Sequence, residues 1–99
     1  MKRYSKAEAL KVIRNILKNG AVIPSGHVQE RMLQRGFDMQ DILNVIRTGA
    51  IYTEPEIHPK TGRWTYKVEG KTIDGDKIDI VVDIDDKNNC IKILTGITH

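Results

Sequence analysis

His27, Arg31 and Arg35 recur at intervals of four in the run Gly26-His27-Val28-Gln29-Glu30-Arg31-Met32-Leu33-Gln34-Arg35-Gly36. On a helix this spacing puts all three on one face, with Val28 and Met32 beside them to anchor that helix to a core. Two guanidinium groups offer rigid donor forks to a phosphate or carboxylate, and an imidazole exchanges a proton near neutral pH. His27 would also stand at the helix N-terminus, where the dipole favours an anion and tends to lower an imidazole pKa. A plainer reading uses the same residues as surface groups, the arginines paired with Glu30, Asp38 or Asp41.

The remaining candidates carry less chemistry. His27, His58 and His99 are far apart and lack zinc-ligand spacing, and Cys90 alone cannot build a cysteine zinc site. Asp74, Asp76 and Asp79 lack the closing glutamate of a calcium loop and read as solvated hairpin residues. Trp64 and Tyr66 alternate in phase with Val68, so they read as core before they read as a stacking platform for bases. Neither a phosphate-binding glycine loop nor a dinucleotide fingerprint occurs, and no cofactor or metal is implied.

Helices come first along the chain. Ser5 with Glu8 three residues on is a capping box, and Leu10, Ile13, Ile16 and Leu17 follow at helical spacing up to Gly20. Lys11, Arg14 and Lys18 fall on the other side. Pro24-Ser25-Gly26 turns the chain into a second helix, His27 to Arg35, stopped by Gly36. Asp38 caps a third, with Met39, Ile42, Leu43 and Ile46 in phase and Gly49 at its end. Beyond Gly49 the period becomes two. Ile51–Thr53 is a brief strand candidate, followed by alternation through Trp64–Val68, Ile78–Ile84 and Ile91–Thr95. Helices followed by hairpins predict an α+β fold, with N-terminal helices packed on a three- to four-stranded antiparallel sheet. Leu10, Ile13, Ile42, Leu43, Ile46, Val68, Ile80, Val82 and Ile93 are the expected core.

At 99 residues, 39% hydrophobic and 29% charged, the chain reads as one domain, residues 1–99. No apolar run is long enough for a transmembrane helix, the charged start does not read as a signal peptide, and one cysteine cannot form an internal disulfide. The expected location is cytoplasmic, with no membrane partner. The net charge of +3 is unevenly spread. Residues 1–50 hold nine Lys/Arg against four Asp/Glu, and residues 51–99 hold seven against nine. A basic helical half on an acidic strand half suits a small phosphate-binding protein, and also an ordinary soluble domain.

The run His27-Val28-x-x-Arg31-Met32-x-x-Arg35-Gly36-Phe37, followed by Asp41-Ile42 and Val45-Ile46-x-x-Gly49-x-Ile51, resembles the DUF4258 family. Tyr66-x-Val68-x-Gly70, Ile78-x-Ile80-Val81-Val82 and Ile93-x-x-Thr95 extend the resemblance over roughly Ser25 to Thr95. It implies a helices-then-sheet domain similar to the RelE/ParE and colicin-type ribonuclease group, small toxins that cleave RNA without a metal. The correspondence reaches His27, Arg31, Arg35 and, near the last strand, Thr95 as site residues. The acidic strand half and modest charge depart from typical RelE-like toxins, and the Ser5–Gly20 helix lies outside the motif.

Two functions follow as expectations. One is a metal-independent endoribonuclease of toxin or effector type, with RNA as substrate and an antitoxin or immunity protein as neutralising partner. There the RNA 2′-OH attacks the phosphate, His27 transfers a proton, and Arg31 and Arg35 hold the charge. A second proton-transfer group would come from Tyr66, Tyr52, His58, His99 or a lysine. The alternative is a non-catalytic module that binds protein or nucleic acid, including a phage or host-defence inhibitor.

Overall fold

The computed structural model describes residues 2–99. Its elements run α1 (Lys6–Asn19), β1 (Ala21–Pro24), α2 (Gly26–Arg35), α3 (Met39–Thr48), β2 (Glu56–Ile57), β3 (Trp64–Lys71), β4 (Lys77–Asp85) and β5 (Cys90–Thr98). The fold is α+β, with the helices packed against a mixed five-stranded sheet in the order β1-β5-β4-β3-β2.

Each helix starts where its cap predicts. Ser5 Oγ accepts from Glu8 N at 3.2 Å while the Glu8 carboxylate accepts from Ser5 N at 3.1 Å. Those bonds hold the Glu8 carboxyl below its ordinary value. Asp38 and Asp41 form the same reciprocal box at α3. The helix ends differ from one another. Gly36 is left-handed at φ 72°, the conformation that favours glycine after a helix. Gly20 is extended instead, and a β-carbon there would collide with the Asn89 carbonyl. Its role is close approach to the β4–β5 turn rather than a left-handed cap.

The sheet corrects the expected three- or four-stranded antiparallel arrangement. β1 is an additional edge strand, and it runs parallel to β5, with Val22 opposite Ile91 and Pro24 opposite Ile93. Pro24 is tolerated because an edge strand leaves one side of its backbone unpaired. The expected strand at Ile51–Thr53 is not a strand; Ala50 makes a single bridge to Glu69, and the strand itself begins at Glu56, opposite Thr65. Between β4 and β5, Val82 pairs with Ile93 but Val81 pairs with Thr95, so Leu94 is the extra residue of a bulge.

One face of the sheet carries Tyr66, Val68, Ile78, Ile80, Val82, Ile84, Ile91 and Ile93, all buried, against Ala9 and Ile13 of α1, Val28 of α2, and Ile42, Val45 and Ile46 of α3. Seven of the nine expected core residues are completely buried; Leu10 and Leu43 are only partly so. Arg14 ties two helices together: its Nε and Nη2 donate to the carbonyls of Ile46 and Gly49 at 3.1 and 2.7 Å, capping the end of α3. At the far end of β4, the Tyr4 hydroxyl donates to Asp86 Oδ2 at 2.7 Å, and the Tyr66 hydroxyl accepts from Tyr4 N at 2.9 Å.

Two predictions follow from this packing. Ile80→Ala should cost about 2–5 kcal/mol in urea unfolding, since Ile80 is fully enclosed. A cost near zero would contradict the layer assignment. The second concerns the Tyr4 hydroxyl, whose pKa the Asp86 carboxylate, assisted by burial, pushes up to about 12 from 10.0. A raised pKa favours the protonated form in the folded state. The stabilisation is therefore complete below pH 10 and lost as pH rises through 12. The stability gap between wild type and Tyr4→Phe should close over that interval, and a constant gap would count against the Tyr4–Asp86 bond.

Candidate functional site

The candidate site begins with Ser25, which caps α2. Its Oγ accepts from Val28 N at 3.1 Å and donates to the Leu94 carbonyl at 3.0 Å, while its amide donates to Ile93 O at 2.9 Å. The helix is thereby fixed to β5 at the bulge. Val28 is fully buried and Met32 packs against the core, which sets the rotation of α2 about its axis. His27, Arg31 and Arg35 then lie along one flank, spanning about 12 Å at 1.5 Å per residue. His27 and Arg35 are exposed, and Arg31 is half-buried.

No salt bridge joins any of the three to an acidic residue among the described residues. The ion pairs there are Arg63–Asp83 and Lys92–Asp85, with the His99 imidazole against Asp79. Asp38 and Asp41 are occupied otherwise: each serves the other's backbone in the capping box, and Asp41 Oδ1 also accepts from Ile73 N at 2.9 Å. The plainer reading, arginines paired with Glu30, Asp38 or Asp41, is not the arrangement present. Arg31 goes further, for its Nε is buried and has no hydrogen-bond partner among the described residues. A buried donor left unmade costs about 1–3 kcal/mol.

Arg35 also lines a polar cleft of about 450 Å³ at the C-terminal end of α2, with Lys77, His99 and the carboxylates of Asp41, Asp74 and Asp76. His99, at the edge of this cleft, has its Nε2 2.9 Å from Oδ2 of Asp79, which lies outside the cleft lining and is only 4% exposed. A buried carboxylate that orients an imidazole is an acid–base arrangement. The sequence reading missed it, because Asp79 resembles its hairpin neighbours. Only the β4–β5 register brings residue 79 alongside residue 99.

Thr95 is not brought to the α2 stripe. Two residues apart, Ile93 and Thr95 would share a face of a regular strand. The bulge at Leu94 shifts the phase, so Ile93 faces the helices while Thr95 pairs with Val81 on the opposite face. Among the other proton-transfer candidates, Tyr66 is buried under the N-terminal segment, its pKa raised chiefly by burial. Tyr52 is exposed, and His58 Nδ1 accepts from Lys60 N. Among the described residues, no group of three or more His, Cys, Asp or Glu side chains is placed to hold a metal ion.

Fold and stripe together define a small α+β domain with an unpaired cationic helix face. Residues 24–95 match the family model described as "Domain of unknown function (DUF4258)", and the chain belongs to that family. Neither the comparison with curated proteins nor that with solved structures gave a match.

The unsatisfied Arg31 makes a stability prediction. Arg31→Met keeps the stem and removes the orphaned donor, so the unfolding free energy should stay level or rise by about 1–3 kcal/mol. A loss of stability beyond about 1 kcal/mol would mean that Arg31 is held by the fold for the fold's own sake.

Proposed function

We propose that this protein is a metal-independent endoribonuclease of toxin or effector type, handling RNA phosphate along α2. The observation that supports this is the absence of any carboxylate partner for His27, Arg31 or Arg35, with a buried donor of Arg31 left open. Exposed cations elsewhere on the helices are unpaired too, so it is the buried open donor of Arg31 that carries the argument. An anion completes all three.

In this mechanism Arg31 and Arg35 bind the scissile phosphate and stabilise the charge added as the 2′-oxygen attacks phosphorus. His27 accepts the 2′-OH proton. The bond from phosphorus to the 5′-oxygen breaks, leaving a 2′,3′-cyclic phosphate, and the departing oxygen takes a proton from solvent water to become the 5′-hydroxyl. A RelE-like architecture and a neutralising antitoxin or immunity protein belong to the same proposal. Its site residues are His27, Arg31 and Arg35.

A second reading, phosphate binding without cleavage, draws on a different observation. His27 makes no hydrogen bond to another side chain among the described residues, whereas His99 is the imidazole held by a carboxylate.

The test incubates purified wild type and His27→Ala with mixed RNA, free and ribosome-bound, in excess EDTA, and follows ends carrying 2′,3′-cyclic phosphate. Removing His27 should lower the rate roughly 10²–10⁴-fold while the folded spectrum is unchanged. Equal cleavage by the folded variant would remove His27 from the mechanism. No cleavage by wild type, with binding that weakens in Arg31→Met, would favour the binding module.

A further inference from the structure

We propose that the recess between α1 and α3 is a docking groove for an acidic amphipathic helix of a protein partner. Its floor is apolar, formed by Leu17, Val22, Met39 and Leu43, and its rims carry Lys18 and Arg47. The space is about 480 Å³. At Lys18 it meets a second recess of about 720 Å³ along α1, beside Leu10 and Lys11. No Asp or Glu lines either recess.

Three features fix the kind of occupant. Met39, Leu43 and Arg47 stand at i, i+4 and i+8, so α3 offers one straight ridge, and α1 runs a second ridge past it. Two such ridges accept a third helix, whose apolar residues enter at the same spacing. The charge is of one sign throughout: neither Lys18 nor Arg47 forms an ion pair among the described residues. Acidic flanks on the incoming helix would meet them, and a basic helix would be repelled. Finally, Arg14 clamps α1 to the end of α3, so the groove exists before binding and less ordering is required. The apolar floor argues against a lipid surface, which would need apolar groups that protrude, for Leu17, Val22, Met39 and Leu43 are all half-buried. It also argues against RNA, whose backbone gains nothing from leucine and methionine.

The probe is a synthetic peptide of about twenty residues, leucine at i, i+4, i+7 and i+11 and glutamate on both flanks. Its twin carries lysine in place of glutamate. The full chain is titrated with each by calorimetry and by backbone amide NMR, and separately with vesicles of phosphatidylglycerol and phosphatidylcholine. The acidic peptide should bind one to one, with shifts confined to α1, α3 and β1, and its twin should not bind. Lys18→Glu/Arg47→Glu, which alters only exposed charge, should weaken the complex about tenfold or more, as should Leu43→Glu. The proposal fails if the acidic peptide does not bind, if both peptides bind alike, or if binding survives the charge reversal. It fails equally if vesicles bind and the peptide does not. A chain that is dimeric alone and becomes monomeric on charge reversal would assign the groove to a second copy instead.

Discussion

Ser25 stands where the sheet ends and the helix that carries the candidate site begins, and its bonds determine both. The amide continues the β1–β5 pairing by one step, donating to Ile93 O, and the hydroxyl then takes the Leu94 carbonyl, the one made available by the bulge. The same oxygen accepts from Val28 N and opens α2. One side chain therefore terminates an edge strand, holds the extra residue of β5, and fixes the origin of the helix. The direction of the His27–Arg31–Arg35 stripe follows from that origin together with the burial of Val28. The face on which Thr95 emerges follows from the bulge, and so does the placement of Gly96 beneath Phe37, where a β-carbon would lie 2.7 Å from the ring.

What was legible in the sequence is what depends on local spacing. The capping box at Ser5, the cap at Asp38, the apolar phases of three helices, and the alternation of β3 and β4 are written in neighbouring residues, and the fold uses them. The failures share one cause, which is pairing at long range. Ala21–Pro24 is too short and ends in a residue too unsuited to strands to be seen as one; only its parallel partner at Cys90–Ile93 makes it a strand. The bulge at Leu94 leaves no mark in the run Ile91 to Thr95, and it reverses the face of every residue after it. The His99–Asp79 pair joins positions twenty residues apart and exists only through the β4–β5 register. For the site, α2 was legible as a surface, but the absence of a salt bridge to its arginines among the described residues was not. The nearby acids at 38 and 41 looked available until the capping box consumed them.

The distribution of charge acquires a different meaning once the ion pairs are placed. Both Lys/Arg pairs lie within the sheet half, Arg63 with Asp83 and Lys92 with Asp85, and the His99 imidazole meets Asp79 there. Asp79 and Asp83 are almost wholly enclosed, each with one oxygen still unpartnered, an arrangement that costs stability unless the partner is well placed. Much of the sheet's charge is thus spent internally. The helical layer, with nine cations among its first fifty residues and no ion pair of its own among the described residues, presents the larger share of the field that a partner meets. A modest net charge of +3 therefore understates how positive that side is.

The family match begins at residue 24, so α1 lies outside it, yet α1 is not an appendage. Ala9, Ile13 and Ile16 are buried in the common core, and Arg14 caps the carbonyls at the end of α3. A chain containing only the matched stretch would leave the sheet face beneath α1 open to water and the last turn of α3 without its guanidinium donors. It would need another element there, or another molecule. In this protein α1 meets that requirement itself. In doing so it leaves Lys11 and Lys18 exposed beside Leu10 and Leu17, which are only partly covered by the core. The segment that completes the fold is therefore also the one that adds a surface beyond the part matched by the family model.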